Sequence, residues 1–257
     1  MMFRPRVIPV LLLKKGALVK SRKFRNHTYI GDPVNAIKIF SSLKADELIL
    51  LDIMASRENR IISLDHLRDI SIEANMPFAV GGGIRSLESI RSIINAGVEK
   101  VVIGAYASIN PDFIRQAADS FGSSAIVVCM DILKNRSGRL ETRILNGRKS
   151  TGSCPAEFAG LMEAKGAGEL IIQSIEKDGM RNGYDLPLIK SITQQVKIPV
   201  VALGGAGSLH DLRTAYADTN ANGLGAGSIF VYKGFQNGVL LNYPMRPEFI
   251  FQDIFLV

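Results

Sequence analysis

"PFAVGGGIRSLESIRSIINAG", which begins at Pro77, is matched by "PVVALGGAGSLHDLRTAYADT", which begins at Pro199. Each copy contains a short apolar run, a glycine turn and an amphipathic stretch that opens at a serine, which is the pattern of a strand followed by a helix. The glycine pairs at 82–83 and 204–205 align at a displacement of 122 residues. A match of this length at a fixed displacement indicates an internal repeat.

The repeat extends beyond these two stretches, because the same displacement relates "ELILLDI" at 47–53 to "ELIIQSI" at 169–175. Short β-branched or leucine-rich runs alternate with amphipathic stretches throughout the chain, which is typical of βα units around a parallel sheet. Eight such runs lie at 6–12, 47–53, 77–80, 100–103, 125–131, 169–175, 199–203 and 223–226. We therefore predict an α/β fold, a (β/α)8 TIM barrel built from two (βα)4 half-barrels.

The barrel is predicted as a single domain over residues 1–257. The half-barrels cover about 4–122 and 123–230, and residues 231–257 form a C-terminal extension. No Pro/Ser-rich linker, low-complexity tract or block of like charge divides the chain.

Two helix starts carry a clear signal. Asp32 precedes Pro33 in "DPVNAIKIFSSL", and Asn110 precedes Pro111 in "NPDFIRQAADSF". A capping residue followed by proline in the first turn is a usual helix start. We therefore expect Asp32 and Asn110 to cap helices.

Composition limits the classes of function. The 257 residues are 47% hydrophobic and carry a net charge of +7, with a pI of about 9.5. No apolar stretch reaches the ~20 residues of a membrane-spanning helix. We predict a soluble, cytoplasmic protein that binds no membrane.

Much of the positive charge lies in two segments, "KSRKFRN" at 20–26 and "LKNRSGRLETRILNGRKS" at 133–150. Neither has the interleaved aromatic residues of a nucleic-acid platform, so no nucleic-acid partner is predicted. Such loops are commonly solvated and nothing more. They would also suit an acidic partner or an anionic sugar nucleotide, and the sequence leaves these alternatives open.

Cysteine and histidine usage indicates neither a disulfide framework nor a metal site. The two cysteines, Cys129 and Cys154, are too few for a framework, and Cys129 lies in an apolar run that suits a buried free thiol. The histidines, His27, His66 and His210, have no Cys or carboxylate at metal-ligand spacing. We predict no metal and no cofactor.

"RVIPVLLLKKG" at 6–16 and "AIVVCMDILK" at 125–134 occupy equivalent places in the two halves, at a displacement of 119 residues. Leu12 is therefore the counterpart of Asp131, and both are predicted at the C-terminal ends of opposite strands, where catalytic residues of this fold lie. A carboxyl group there suits acid/base catalysis or a substrate contact, whereas leucine transfers no proton. Asp52, which ends another run, suits either such a role or structural hydrogen bonds to neighbouring loops.

Glycine turns in both copies bring backbone N–H groups to the predicted mouth, and each opens into a helix whose N-terminus favours an anion. The turn at 204–205, with "EKDGMRNG" at 176–183 and "GAGS" at 225–228, is a candidate phosphate site in the usual place for this fold. The turn at 82–83, with "IGAYA" at 103–107, is a weaker copy. Two such sites would suit a ligand with phosphates at both ends. The alternative is that the glycines only relieve crowding.

Four charged residues, two of each sign, begin four of the runs. They are Arg6, Glu47, Lys100 and Glu169. We expect them to close into a ring of ion pairs at the opposite end of the barrel from the mouth. The N-terminal face of a barrel normally contributes to stability, so by itself this ring indicates a stabilising plug.

A set of motifs resembles the HisF-like cyclase subunit of imidazole glycerol phosphate synthase: "RVIPVLLLKKGALVK", "GDPV", "DELILLDI", "PFAVGGGI", "FGSSAIVVCMD", "GAGELIIQSIEKDGMRNGYD" and "GGAGS". The resemblance spans residues 4 to about 230. It implies a (β/α)8 barrel whose N-terminal face docks a HisH-like glutaminase subunit and whose axis conducts ammonia. At the mouth, ammonia would join a bisphosphate ribulosyl substrate.

By this resemblance, Asp131 is one of two catalytic aspartates, and Leu12 stands at the lost position of the other. Losing one member of an acid/base pair removes a contribution of about 10²- to 10⁴-fold to the rate. Four further mouth positions depart from the family pattern: Gly104, Ala105, Gln173 and Leu203. The candidate phosphate-binding residues are Gly83, Asp178, Gly179, Gly205, Gly227 and Ser228. The resemblance makes the charged residues Arg6, Glu47, Lys100 and Glu169 an ammonia gate.

The sequence thus retains all four residues of the ammonia gate but only one of the two catalytic aspartates. A group of saccharide-locus (WbuZ-like) paralogs, which occur with an N-acetyl sugar amidotransferase, is similar throughout the chain and has this character. We predict a synthase-type subunit that channels ammonia from a glutaminase to that amidotransferase in lipopolysaccharide (O-antigen) amidino-sugar biosynthesis. The alternatives are a working cyclase in histidine biosynthesis, with Asp52 as the substituted acid, and a non-catalytic scaffold. A phosphorylated small molecule at the mouth is compatible with each.

Overall fold

Eight parallel strands close into a barrel in the computed structural model, which describes residues 4–234 and 238–244. In chain order the strands are β1 (Arg6–Lys14), β2 (Ala17–Arg22), β3 (Arg25–Gly31), β4 (Leu48–Asp52), β5 (Phe78–Gly81), β6 (Lys100–Ile103), β7 (Ile126–Lys134), β8 (Leu140–Ile144), β9 (Lys149–Ser150), β10 (Glu169–Ser174), β11 (Val200–Leu203), β12 (Gly223–Ala226), β13 (Tyr232–Lys233) and β14 (Gly238–Val239). The barrel order is β1–β4–β5–β6–β7–β10–β11–β12, and β12 pairs with β1. The predicted (β/α)8 TIM barrel is confirmed.

Helices follow the barrel strands and pack on their outer side. They are α1 (Pro33–Ser42), α2 (Leu64–Glu73), α3 (Leu87–Asn95), α4 (Ala105–Ile109), α5 (Asp112–Phe121), α6 (Pro155–Ala164), α7 (Leu186–Thr193), α8 (Leu209–Thr219) and α9 (Ser228–Val231). Over the two described ranges, no helix has the length and apolar character needed to cross a bilayer.

One of the two helix caps forms as predicted. The Asp32 carboxylate caps α1 by accepting a hydrogen bond from the backbone N–H of Asn35 at 2.9 Å. The prediction for Asn110 is wrong, because Pro111 takes the N-cap position of α5 and no side chain caps that helix. Asn110 ends the short helix α4, where its N–H donates to the carbonyl of Tyr106 at 2.8 Å.

The internal repeat is visible in the topology. Residues 4–122 and 123–230 each contribute four of the barrel strands. Four strand positions separate β1 from β7 in either direction, so these two strands lie on opposite sides of the barrel. Each continues into an antiparallel hairpin beyond the barrel, β2–β3 after β1 and β8–β9 after β7. The predicted placement of Leu12 opposite Asp131 follows from this arrangement.

Apolar side chains fill the barrel axis, because alternate residues of each strand face inward. We call this cluster the axial column; it comprises Ile8, Val10, Ile49, Ala79, Val102, Val127, Ile171, Val201 and Leu203. A second and larger apolar cluster lies between the strands and the helices. Full burial of one aliphatic side chain contributes roughly 1.5–3 kcal/mol, so both layers hold the barrel closed.

The described part of the C-terminal extension packs against the outside of the barrel. Its strands β13 and β14 pair with each other. The Tyr243 hydroxyl donates to the Val7 carbonyl at 3.0 Å and accepts from the Asp46 N–H at 3.1 Å, and its ring contacts Phe230. The extension therefore reaches the N-terminal ends of β1 and β4. Residues 235–237 and 245–257 of the predicted extension lie outside the described residues.

Candidate functional site

A cavity of about 380 Å³ opens at the mouth of the barrel, where the strands end. The strands, the loops that follow them and the hairpins β2–β3 and β8–β9 all contribute to its lining. The fold brings every mouth residue singled out from the sequence to this cavity: Leu12, Gly83, Asp131, Asp178, Gly179, Gly205, Gly227 and Ser228. Their proximity was predicted, whereas their roles remain predictions.

The ends of β1 and β7 present different chemistry to the cavity. Leu12 lies between Leu51 of β4 and Val19 of β2, so its immediate neighbours on the adjacent strands are also hydrocarbon side chains. Asp131 lies beside Gln173 of β10. Burial raises the pKa of Asp131 to about 7, and the negative charge of Asp178 adds to the rise. A carboxyl group with such a pKa exists in both protonation states near neutral pH, as a general acid/base requires.

Lys20 is a cavity residue that the sequence reasoning missed. Its side chain is buried, and Nζ donates to the Val10 carbonyl at 2.8 Å. Burial lowers the pKa of Lys20 to about 8, although the charge of Asp178 opposes this change. Gly227 makes room for the ammonium group, because a Cβ at that position would lie 1.9 Å from Nζ. The ammonium group is thus directed at the predicted phosphate side of the mouth, where it would attract an anion.

Asp178 has a structural role beside its predicted one. Its carboxylate accepts hydrogen bonds from the Ser21 hydroxyl at 2.7 Å and from the Phe24 N–H at 3.1 Å. Burial raises the pKa of Asp178, and these two donors and the charge of Lys20 limit the rise. Asp178 therefore joins the loop after β10 to the first hairpin, and both of these hydrogen bonds go to its Oδ2 atom.

Two of the predicted phosphate-binding glycines are also required by close contacts between loops. Gly83 has φ +70°, and a Cβ there would lie 1.8 Å from the carbonyl oxygen of Arg60. Gly205 has φ +112°, and a Cβ there would lie 2.2 Å from the carbonyl oxygen of Gly183. The same close approach of a glycine to a loop carbonyl occurs in both halves of the barrel. These backbone contacts therefore explain both glycines without a bound ligand. This is the crowding alternative that the sequence left open.

The side of the mouth next to β6 is largely apolar. Ala105, Tyr106 and Ile109 of α4 line the cavity there, and Ile109 is 63% exposed. Arg85 is the cation of this side, and its guanidinium donates to the side chain and the carbonyl of Asn59 at 3.0 and 3.3 Å. The second predicted phosphate site therefore has weaker support than the side that holds Lys20.

At the opposite end of the barrel, four charged side chains form a closed circuit, which we call the charged ring. Arg6 donates to both Glu47 and Glu169. Lys100 donates to the same two carboxylates, at 2.9 and 3.0 Å. Burial opposes the charge of Arg6, yet the hydrogen bonds and charges of the two glutamates leave its pKa raised. The predicted ring of ion pairs therefore forms with every charge paired.

Residue types that ligate metals do not cluster in the part of the chain that the structure describes. Within residues 4–234 and 238–244, no group of three or more His, Cys, Asp or Glu side chains is placed to hold a metal ion. Cys129 and Cys154 are both free thiols. Burial raises the pKa of Cys129, and the charge of Asp131 acts in the same direction, so this thiol is held in its neutral form.

Comparisons with known proteins agree with this geometry. Residues 6–236 match the family model described as "Histidine biosynthesis protein". The chain is 42% identical over 248 residues to "Putative imidazole glycerol phosphate synthase subunit HisF" of Leptospira interrogans, covering 96% of this chain and 98% of that one. It is also 42% identical over 243 residues to "Putative imidazole glycerol phosphate synthase subunit hisF2" of Pseudomonas aeruginosa, covering 95% and 97%. The chain belongs to the HisF-like family of cyclase subunits.

A third relative of the HisF-like chain is "Imidazole glycerol phosphate synthase subunit HisF" of Alkaliphilus metalliredigens, which is 41% identical over 231 residues and covers 90% of this chain and 92% of that one. The predicted family is therefore confirmed. The finer assignment to the saccharide-locus paralogs stays a prediction.

In this HisF-like chain, Asp52 is engaged by its own loop. Its carboxylate pairs with Arg60 at 2.6 Å and accepts hydrogen bonds from the N–H groups of Met54 and Ala55 at 2.9 and 3.2 Å. These contacts correspond to the structural alternative predicted for Asp52. They leave little capacity for Asp52 to act as the second acid of a cyclase.

The sequence around Lys20 contains a signal of burial. Lys20 begins the basic segment "KSRKFRN", for which the sequence left solvation and anion binding open, but it also ends the apolar run "ALVK" of β2. A lysine that continues an apolar run is a candidate for burial when a partner is close.

Proposed function

We propose that this HisF-like chain is the synthase subunit of a glutamine amidotransferase complex. It conducts ammonia from a HisH-like glutaminase, docked at the N-terminal face, to an N-acetyl sugar amidotransferase at the mouth. The product is an amidino sugar of a surface glycan such as O-antigen. One observation carries this proposal: the charged ring has all four members paired, while Leu12 replaces the proton-transferring group at the mouth.

The axial column suits the passage of neutral ammonia. Its members are apolar and nearly fully buried, so an ammonium ion would lose its hydration without gaining a counter-ion. Burial of an unpaired charge costs several kcal/mol, which excludes the charged form. The charged ring lies at the start of this path, and Arg6 or Lys100 must release two carboxylate contacts for ammonia to pass. A docked glutaminase would supply alternative partners for these groups.

At the mouth, ammonia leaves the axial column into the cavity that Asp131 and Leu203 both line. The carboxylate form of Asp131 accepts hydrogen bonds from ammonia and holds it at the exit. Ring closure needs a second group that transfers protons, and Leu12 supplies none. The chemistry that consumes ammonia therefore belongs to the acceptor enzyme.

A second candidate function is cyclisation itself, as in histidine biosynthesis. The observation that favours it is the grouping of Asp131, Asp178 and Lys20 around one cavity, with the pKa values of Asp131 and Lys20 shifted to about 7 and about 8. In this case Lys20 or Asp178 would replace the missing acid, rather than Asp52. The names of the relatives are compatible with this function.

A third candidate is a scaffold that holds glutaminase and acceptor together without conducting ammonia. The observation that favours it is the tight packing of the axial column, where Ile8 and Ile171 have no exposed surface. Conduction therefore requires that the column open transiently.

Amide-labelled glutamine separates the conduit from the scaffold. The chain, the glutaminase and the N-acetyl sugar amidotransferase are assayed with [amide-15N]glutamine in excess unlabelled ammonium, and the 15N fraction of the product is measured by mass spectrometry. We expect mostly labelled product. Product with the isotope ratio of the bulk ammonium would reject the conduit.

A pair of variants tests the path. Ala79→Leu adds volume inside the axial column, and Ala215→Leu adds the same volume to the layer outside it. Both overpack the fold by about 1–3 kcal/mol. We expect only Ala79→Leu to lower the labelled fraction, and equal labelling in both variants would count against passage along the axis.

A further inference from the structure

The net positive charge of the chain is concentrated at the mouth. We define the first hairpin as residues 14–31 and the second hairpin as residues 134–150. Together they hold 12 of the 31 Lys and Arg residues but only one of the 24 Asp and Glu residues, Glu141. The rest of the chain has 19 Lys and Arg against 23 Asp and Glu and is therefore slightly acidic. The overall charge of +7 thus arises from these two hairpins.

Most of these cations are exposed and form no salt bridge. The exposed ones are Lys15, Arg22, Lys23, Arg25, Lys134, Arg136, Arg139, Arg148 and Lys149. Across the part of the chain that the structure describes, none of the nine forms a salt bridge. Exposed cations elsewhere do pair, as Lys38 does with Glu73 and Arg68 with Asp65. Unpaired like charges repel one another, so an anionic surface would stabilise this arrangement.

The two hairpins approach each other over the cavity. They extend from β1 and β7 on opposite sides of the barrel. Phe24 of the first and Asn146 of the second line the same cavity, and a Cβ added to Gly147 would lie 3.6 Å from the ring of Phe24, so the two tips lie close together. We call the outer surface of the two hairpins the basic roof. It spans the mouth through which ammonia would leave.

The basic roof is held in place before any partner arrives. The Lys23 N–H donates to the Asp178 carbonyl at 2.9 Å, which fixes the tip of the first hairpin. The Asn146 side chain donates to the Ile53 carbonyl at 3.1 Å, which fixes the tip of the second. A surface fixed in this way loses little conformational entropy on binding.

We propose that the basic roof is the docking surface of the ammonia-accepting enzyme, and that this enzyme contributes a complementary acidic face. The inference rests on the proposed function, since ammonia released into water near neutral pH would be protonated and lost as a nucleophile. A partner that covers the mouth prevents this loss.

A protein suits the basic roof better than other anions do. A sugar nucleotide presents one compact pair of phosphates, whereas nine exposed cations are spread over two hairpins. A nucleic acid would need stacking side chains, and the hairpins contain only Phe24 and Tyr29 as aromatic residues. At the N-terminal end, by contrast, the four members of the charged ring carry no net charge together. Opposite ends of one barrel thus select different partners.

Charge reversal tests the proposal with two matched sets. The roof set is Arg22→Glu, Lys23→Glu, Arg25→Glu, Arg136→Glu, Arg139→Glu and Arg148→Glu, prepared as two triple variants, one for each hairpin. The control triple, Lys44→Glu, Arg91→Glu and Lys197→Glu, changes three exposed cations outside the hairpins by the same total charge. Binding of the purified N-acetyl sugar amidotransferase to the chain with its glutaminase is measured at 50 and 300 mM NaCl. Thermal unfolding confirms that each variant folds.

We expect either roof triple to lower the association rate constant at least tenfold at 50 mM NaCl, with much less effect at 300 mM and little change in the dissociation rate. The control triple should bind as the wild type does. Equal rate constants for roof and control triples, or absence of binding to the wild type, would overturn the proposal. So would binding of free UDP-N-acetylglucosamine that the roof triples abolish while protein association is unchanged, because the surface would then be a sugar-nucleotide site.

The labelling experiment separates this inference from the proposed function. Labelled product from the wild type together with unchanged docking of the roof triples would reject the docking surface alone. Unlabelled product together with roof-dependent docking would reject the conduit and keep the docking surface.

Discussion

The two ends of the barrel use charge in opposite ways. At the N-terminal face, four charged side chains make four contacts with one another, so each charge is balanced where it lies. At the mouth, the Asp131 carboxyl accepts no hydrogen bond from the residues that the structure describes, and Lys20 donates to a single carbonyl. Balanced charges stabilise a closed surface, whereas unbalanced ones are available to a ligand or a proton.

The largest expected effect concerns the mouth as a catalyst. With ammonia and the bisphosphate substrate, we expect no turnover by the wild-type chain above that of Asp131→Asn. Leu12→Asp should raise turnover by about 10²- to 10⁴-fold, because it restores a second proton-transferring group. Leu12→Asn, of similar size but unable to take up a proton, is the control. Wild-type turnover that Asp131→Asn abolishes would show that the mouth is a working cyclase.

The next largest effect concerns the charged ring at the N-terminal face. Lys100→Met leaves two buried carboxylates to share Arg6, and breaking a buried ion pair in this way costs about 3–5 kcal/mol. Urea unfolding of the purified chain measures the loss. Arg4→Met, which removes an exposed pair with Asp46, should cost less than about 1 kcal/mol. Equal costs for the two variants would mean that the charged ring is solvated like any surface pair.

A third experiment varies the pH to test the raised pKa of Asp131. The pKa of Asp131 is about 7 in the folded protein, above its usual 3.8, so the folded state holds a proton that the unfolded chain has released between these values. Wild-type stability therefore falls as pH rises from about 4 to 7. Asp131→Asn removes this loss and should be more stable than the wild type by roughly 4 kcal/mol at pH 8, with no gain at pH 4. A gain of the same size at both pH values would contradict the shifted pKa.

The smallest expected effect concerns Lys20. Its pKa of about 8 in the folded protein lies below the usual 10.5, so the unfolded chain holds the extra proton between these values. Wild-type stability should therefore rise over pH 8 to 10.5 relative to Lys20→Met, by about 1–2 kcal/mol. Unfolding free energies of both proteins across this range provide the measurement. A constant difference would mean that the ammonium group remains hydrated.

The strand pattern was predictable because a barrel strand must place apolar residues on both faces, which leaves a continuous run in the sequence. All eight runs are strands, with bounds that agree to within a few residues. The local Asn-Pro pattern, by contrast, did not predict the role of Asn110, which caps no helix with its side chain. Five residues upstream, Ala105 begins the short helix α4, and this helix takes Asn110 as its end. Local capping signals carry no information about a neighbouring element that competes for the same residue.

By itself, the sequence determined the barrel, its twofold repeat and the identity of the residues at its two ends. Periodicity and internal similarity are properties of the chain order, and strand ends follow from them directly. Only the tertiary structure decided which charges are balanced. Ion pairing, burial and the approach of the two hairpins depend on distances between residues that are far apart in the chain. Lys20 could not be distinguished from its exposed neighbours until Val10, Asp178 and Gly227 had been brought around it.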